Sequence, residues 1–246
     1  MQTLIEQHAA GEGAGLASWT WSQRWRDLLF LHWKAPAAAL SPHLPAPLEL
    51  DMWQGEAWLS LVILRLQIRP RWLPFIPGVS FLVEANLRTY VRHRARPGIY
   101  FLSIHADNCL SAWLARRLSP LPYHFARLFY RRRGDTLHFE RRTSSVLKRR
   151  VFMELQLIGP GHQPAADSLD AWLLERYRAY AWSGPRMLVA AEVTHPPWTV
   201  RQAKVVRAAG GKDVWWDPVP RCSPDLLHWS DGVDALFGRF HSAAEA

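Results

Sequence analysis

Lysine is scarce in this chain: four of its 30 basic residues are lysines, at positions 34, 148, 204 and 212. Cysteine is scarcer still. Cys109 and Cys222 stand far apart and belong to no paired motif, which excludes a disulfide scaffold and suits a reduced, cytoplasmic setting with free thiols. No apolar run reaches the ~18 residues of a membrane-spanning helix, so no membrane span is expected. The N-terminus lacks a charged start followed by an apolar stretch, so no secretory signal is expected either. There is no G-x-S-x-G, no phosphate-binding loop and no H-E-x-x-H, so three common catalytic motifs have no counterpart here. His105 and Asp107 alone do not make a ligand set, and neither a metal nor a cofactor is expected. Gly11, Gly13 and Gly15 resemble half of a dinucleotide fingerprint, but no strand precedes them; residues 1–18 read as a flexible tail.

What the sequence does hold is apolar bulk and arginine. Of 246 residues, 49% are hydrophobic and 14 are tryptophan, enough for a substantial core in one domain over 19–246. The formal charge is +9. Its densest runs are Arg131-Arg132-Arg133, Arg141-Arg142 and Lys148-Arg149-Arg150. A hairpin turning at Gly134-Asp135 brings the first two together, either as a solvated tip or as an anion-binding ridge. Basic residues and aromatics are not interleaved as in a nucleic-acid module, so nucleic acid is not an expected partner.

Periodicity predicts strands over 57–69, 81–92, 99–106, 126–132, 136–142, 151–158 and 187–194. Asp107 or Asn108 caps a helix carrying Leu110, Trp113, Leu114 and Leu118, which must end before Pro120. Asp167 or Ser168 caps a second helix, with Leu169, Trp172, Leu173 and Arg176 on one stripe. His195-Pro196-Pro197 reads as a rigid turn. In 81–92 the residues Glu84, Asn86, Arg88 and Tyr90 alternate with Phe81, Val83, Ala85, Leu87, Thr89 and Val91. Spacing alone favours a sheet with one wet face; the other reading is a polar face lining an internal cavity. The fold class is α+β, mostly antiparallel.

The order of the segments QRWRDLLFLHW (23–33), LPAPLELD (44–51), EANLRTYV (84–91), RPGIYFLSIHADN (96–108), ARRLSPLPYHFA (115–126) and LLERYRAYAW (173–182) resembles the YqjF-like family, over roughly residues 20–205. More distantly it is similar to the acetoacetate decarboxylase superfamily. That resemblance implies a closed or cone-like antiparallel β-barrel with flanking helices, an internal polar cavity and frequent homo-oligomers. The decarboxylases use a Pro-Lys-Lys motif, in which one lysine forms a Schiff base and its neighbour depresses the reactive amine's pKa. The matching segment here is Pro122-Tyr123-His124, so that chemistry is not expected. A gapless count back from LPAPLE puts Arg26 on a decarboxylase active-site arginine. Glu84 falls on a cavity glutamate, and a second acidic position falls near Ser60 or Leu61 and is lost.

The expected site is thus Arg26, Glu84, Asn86, Arg88, Tyr123 and His124. Arg26 is expected to pair with Glu84 or with a small carboxylate ligand. Adjacent residues of an extended chain face opposite ways; because the resemblance puts Tyr123 at the position of the reactive lysine, Tyr123 is assigned to the cavity and His124 to a supporting position. The expected function is binding of a small, anionic molecule, with the reaction, if any, left open. The alternative is a non-catalytic anion-binding or interaction protein that uses the arginine-rich hairpin.

Overall fold

The computed structural model describes residues 19–142, 150–184, 187–210 and 223–244. The expected tail, 1–18, lies outside them, as do Lys148 and Arg149 of the third basic run.

The architecture is mostly sheet with few helices. Strand β1 (Trp19–Ala35) pairs on one side with β3 (Ala57–Pro70), which pairs with β4 (Phe81–His93), then β5 (Arg96–Ala106). A two-residue strand, β2 (Glu49–Leu50), adds to β4. β5 is followed by α2 (Cys109–Leu118) and by the short β6 (Tyr123–Phe125), which runs parallel to β5. A one-turn helix, α1 (Ala37–Leu40), precedes β2. Along the chain come β7 (Arg127–Arg133), β8 (Thr136–Arg142), β9 (Arg150–His162), α3 (Leu169–Leu174), β10 (Arg178–Ser183), β11 (Met187–Thr194), β12 (Val200–Ala209), β13 (Leu226–Gly238) and β14 (His241–Ser242).

The pairings close on themselves through β13. Its first half pairs with β12, which leads on to β9, β8 and β7. Its second half pairs with β11, through Val193↔Phe237 and Thr194↔Leu236. β11 pairs with β10, and β10 with β5, so a ring of strands is completed. Apart from the parallel β10–β5 and β5–β6 pairs, the recorded ladders are antiparallel. The partner switch falls around Gly232, whose φ of 125° only glycine adopts comfortably.

β3 reads as an almost unbroken apolar run because both its faces are covered. Trp58, Val62, Leu64 and Leu66 enter the core inside the ring. Leu59, Leu61 and Ile63 enter a second core, where Leu128, Tyr130, Leu137, Phe139, Met153 and Leu155 from β7–β9 fold over the ring's outer side. The arginine-rich hairpin is therefore one wall of a core. Its turn falls at Gly134-Asp135, and Arg131, Arg133 and Arg142 alternate outward and are exposed.

Both expected caps form: Asn108 accepts from Ser111 N at 3.0 Å, and Ser168 from Ala171 N at 3.1 Å. The α2 stripe departs from expectation. Ser111 and Ala112 are buried, whereas Leu110, Trp113 and Leu118 are exposed. Helical spacing fixes which residues share a face, and it does not say which face meets the core.

Candidate functional site

A cavity of about 60 Å³ lies inside the ring, room for a few waters or a small organic molecule. The polar face of β4 lines it: Glu84, Asn86 and Arg88 point inward, while Val83, Ala85 and Leu87 pack into the outer core. On that side the polar stripe of the sheet faces the cavity.

β6 supplies the next wall. Ile104 N donates to Pro122 O at 3.0 Å, which seats Tyr123 opposite Ile104. Tyr123 is buried in the cavity wall and its hydroxyl donates to Glu84 Oε2 at 3.0 Å. Asn86 Nδ2 donates to Glu84 Oε1 at 2.9 Å. Burial raises the Glu84 pKa, opposed by these two donors and by the charge of Arg88. Burial and the neighbouring carboxylate hold the Tyr123 phenol well above its ordinary value. His124 is exposed on the opposite side, as strand alternation requires, so it does not line the cavity. Burial lowers its pKa, with the charge of Arg116 adding to the effect.

Arg26 does not reach the cavity. It donates to the carbonyls of Trp25 and Val233 at 2.8 and 2.9 Å and pairs with Asp234, with 41% of its side chain exposed. The cause is a bulge at Asp27, where φ is 51°. The β1–β3 register steps from Arg26↔Arg65 to Leu29↔Ile63, so β1 holds one extra residue. Beyond the bulge the even-numbered Leu28 and Phe30 face the cavity; before it the odd-numbered Gln23 and Trp25 do. A gapless count cannot register an inserted residue that reverses facing. Arg26 and Glu84 are consequently not partners.

Two other arginines occupy the cavity wall. Arg88 lies over the Phe30 ring at 5.9 Å, and its buried Nε has no hydrogen-bond partner. Burial is the largest influence on Arg88 and lowers its pKa; Tyr90 and Glu84 oppose this. Among the described residues it forms no ion pair. Arg176, which sequence reasoning placed only on a helix stripe, falls just beyond α3. It donates to Trp172 O and Asp51 Oδ2, each at 2.7 Å, and lies 4.2 Å from the Trp172 ring centre. Its buried Nη2 lacks a partner.

The His195-Pro196-Pro197 turn also forms an edge of the site, because His195 and Trp198 both line the cavity. Trp198 N donates to Glu175 Oε1 at 2.9 Å and its Nε1 to Leu174 O at 3.0 Å, which moors the turn to α3. His195 Nδ1 donates to Pro196 O at 2.8 Å, leaving Nε2 as an acceptor in the neutral ring. Burial lowers its pKa to about 4.

A hydrogen-bonded chain braces the wall. Tyr90 donates to Leu173 O at 3.0 Å and meets Ser60 Oγ at 2.7 Å; Ser60 meets His32 Nδ1 at 2.6 Å. Since the tyrosine proton goes to the carbonyl, Ser60 donates to Tyr90 and His32 donates to Ser60. Burial drives the His32 pKa well down, helped by His228 and Arg88.

None of the described residues lining the cavity is a lysine. Lys34 and Lys204 are exposed, and Lys148 and Lys212 lie outside the described residues. Among the described residues no cluster of three or more His, Cys, Asp or Glu forms a metal site, and no helix is long and apolar enough to cross a membrane.

This architecture is shared with acetoacetate decarboxylase-like proteins. An acetoacetate decarboxylase-like enzyme from Sphingomonas wittichii RW1 superposes with a TM-score of 0.64 at 13% identity, covering 91% of this chain and 94% of that one. Acetoacetate decarboxylase from Legionella pneumophila gives 0.63 at 14%, covering 93% and 90%. The enduracididine biosynthesis enzyme MppR, complexed with the condensation product of pyruvate and imidazole 4-carboxaldehyde, gives 0.62 at 17%, covering 95% and 93%. At such identities the likeness is one of fold. The family model for domain of unknown function 2071, described as an uncharacterized conserved protein, matches residues 22–234, and the chain belongs to that family. Uncharacterized protein YqjF of Bacillus subtilis (strain 168) is 34% identical over 221 residues, 89% of this chain and 90% of its own length.

Proposed function

We propose that this chain, as one cone-like barrel domain over 19–246, binds a small carboxylate in its cavity and handles it without a Schiff base. The observation that carries this reading is Arg88. A buried guanidinium is costly unless an anion accompanies it. Arg176 already has Asp51, and burial favours the neutral form of Glu84, so the Arg88 charge calls for a partner from outside. The flat guanidinium suits a two-oxygen ligand. Glu84, held by Tyr123 and Asn86 and raised in pKa, is poised to exchange a proton with whatever Arg88 holds. That MppR is described in complex with pyruvate adds a likeness of fold to a carboxylate binder.

The test is thermal unfolding with a panel of small carboxylic acids. A ligand of the folded state raises Tm. The expected result is a shift with at least one acid, lost in Arg88→Met, which removes a buried charge and keeps the fold. No shift with any acid, or an unchanged shift in Arg88→Met, would sink the reading.

A further inference from the structure

The most unusual surface lies between β3 and β4, where the segment RWLPFIPGV (71–79) is folded yet displays its apolar side chains to solvent. Trp72 is 83% exposed, Leu73 49% and Ile76 41%. The loop holds its own shape: Ile76 N donates to Ser80 Oγ at 2.8 Å, and Ser80 N donates to Ile76 O at 2.8 Å. Pro74 and Pro77 stiffen it further. It is joined to α2, because Asn108 Nδ2 donates to Gly78 O at 2.5 Å and Ser111 Oγ to Val79 O at 2.6 Å. α2 is thereby tied to the loop, and its own outward side exposes Leu110 and Trp113.

Arginines edge this surface and lie on its aromatic rings. Arg71 sits 4.9 Å from the Trp72 centroid and 5.1 Å from that of Trp19; Arg24 is 5.1 Å from Phe75; Arg117 is 5.4 Å from Trp113. An apolar patch of this kind marks a contact surface. The edge decides the occupant. Two copies meeting face to face across a twofold axis would bring like-charged edges together. A nucleic acid would match the charge and could stack on Trp72 and Trp113, but it would leave the aliphatic Leu73, Ile76 and Leu110 uncovered. A bilayer with anionic headgroups satisfies both parts. Tryptophan and aliphatic side chains enter the headgroup–acyl boundary, and arginines remain at phosphate level.

We infer that the 71–79 loop and the outer face of α2 form a peripheral docking surface for anionic lipid bilayers. It is independent of the cavity and of whatever the cavity holds.

Co-sedimentation of the full chain with phosphatidylcholine vesicles, with and without phosphatidylglycerol, tests this. The protein is expected to pellet with the anionic vesicles only and to be released by high salt. Trp72→Ser combined with Ile76→Ser should weaken partitioning at least ~10-fold, and Arg71→Gln about 5-fold, one basic contact being lost. Because Trp72 and Ile76 are exposed, the unfolding curve of their double variant should match the parent; Trp113→Ser on α2, also exposed, serves as an independent second variant. Failure to bind anionic vesicles overturns the inference, as does binding unchanged in both apolar variants. It is equally overturned if light scattering shows those substitutions converting an oligomer to monomer while vesicle binding persists, or if an oligonucleotide binds as tightly and is indifferent to them.

Discussion

The buried Tyr123 hydroxyl donates to Glu84 Oε2 across 3.0 Å, although 39 residues separate them. β6 lies parallel to β5, and β5 pairs with β4, so two ladders bring the phenol and the carboxylate together.

Removing that donor tests the pair. Tyr123→Phe should cost about 0.5–1.5 kcal/mol in urea unfolding if one neutral bond is lost, and more if Glu84 is charged. The bond lowers the Glu84 pKa, so the variant should raise it further. The folded protein holds the Glu84 proton more tightly than the unfolded chain. Stability from this group is therefore full below the unfolded pKa and falls as pH rises through the folded one. Glu84→Gln should abolish that decline. An unchanged pH dependence in Glu84→Gln would count against the raised pKa.

The β1 bulge makes a contrasting pair of substitutions. A Cβ on Gly232 would meet the Trp25 carbonyl oxygen at 1.9 Å. Gly232→Ala should destabilise by more than ~4 kcal/mol, the range of strained backbone positions. Arg26→Ala, which removes a partly exposed ion pair, should cost no more than ~1 kcal/mol and leave ligand-induced Tm shifts intact. Loss of those shifts in Arg26→Ala would return this residue to the site.

Acid should unfold the protein early. Burial depresses the pKa of both His32 and His195, the latter to about 4. Each contributes stability that is present above the unfolded histidine pKa and lost as pH falls towards the folded value, at up to ~1.4 kcal/mol per pH unit per histidine. Urea midpoints measured downward from pH 7 should fall steeply, and less so in His195→Asn. A flat profile between neutrality and pH 5 would contradict neutral burial.

The hairpin should behave as core and not as an arm. Phe139 is fully buried, and Phe139→Ala should cost about 3–5 kcal/mol. Arg131→Gln, on the exposed side, should stay within ~0.5 kcal/mol. Comparable effects from both would show that the hairpin is not packed as described.

Borohydride reduction in the presence of acetoacetate or pyruvate should leave the protein mass unchanged, because Tyr123 forms no imine. A mass increment that maps to a lysine would overturn this.

Several features were legible in the sequence. The polar stripe on β4 and the two helix caps depend on local spacing and local hydrogen bonds. That Tyr123 and His124 face opposite ways followed from alternation, and the resemblance to a reactive-lysine position chose Tyr123 as the inward one. β1, β10 and β13 were not legible as strands: Asp27 breaks the alternation of β1, and Asp231-Gly232 interrupts β13. Arg176 and His195 carried no motif. They reach the cavity only because α3 and its following turn are moored beside Asp51 and Trp198.

The sequence by itself determined the period of each strand and the scarcity of lysine. Only the tertiary structure decided which face of each element is inside. It turned the polar side of β4, with the expected Arg88, to the cavity and the apolar stripe of α2 to solvent; it left Arg26 outside the cavity and brought Arg176 into its wall. The reason is physical: periodicity constrains neighbours along one element, whereas facing depends on how a closed ring of strands, with one extra residue in β1 and a partner switch at Gly232, satisfies all its ladders together.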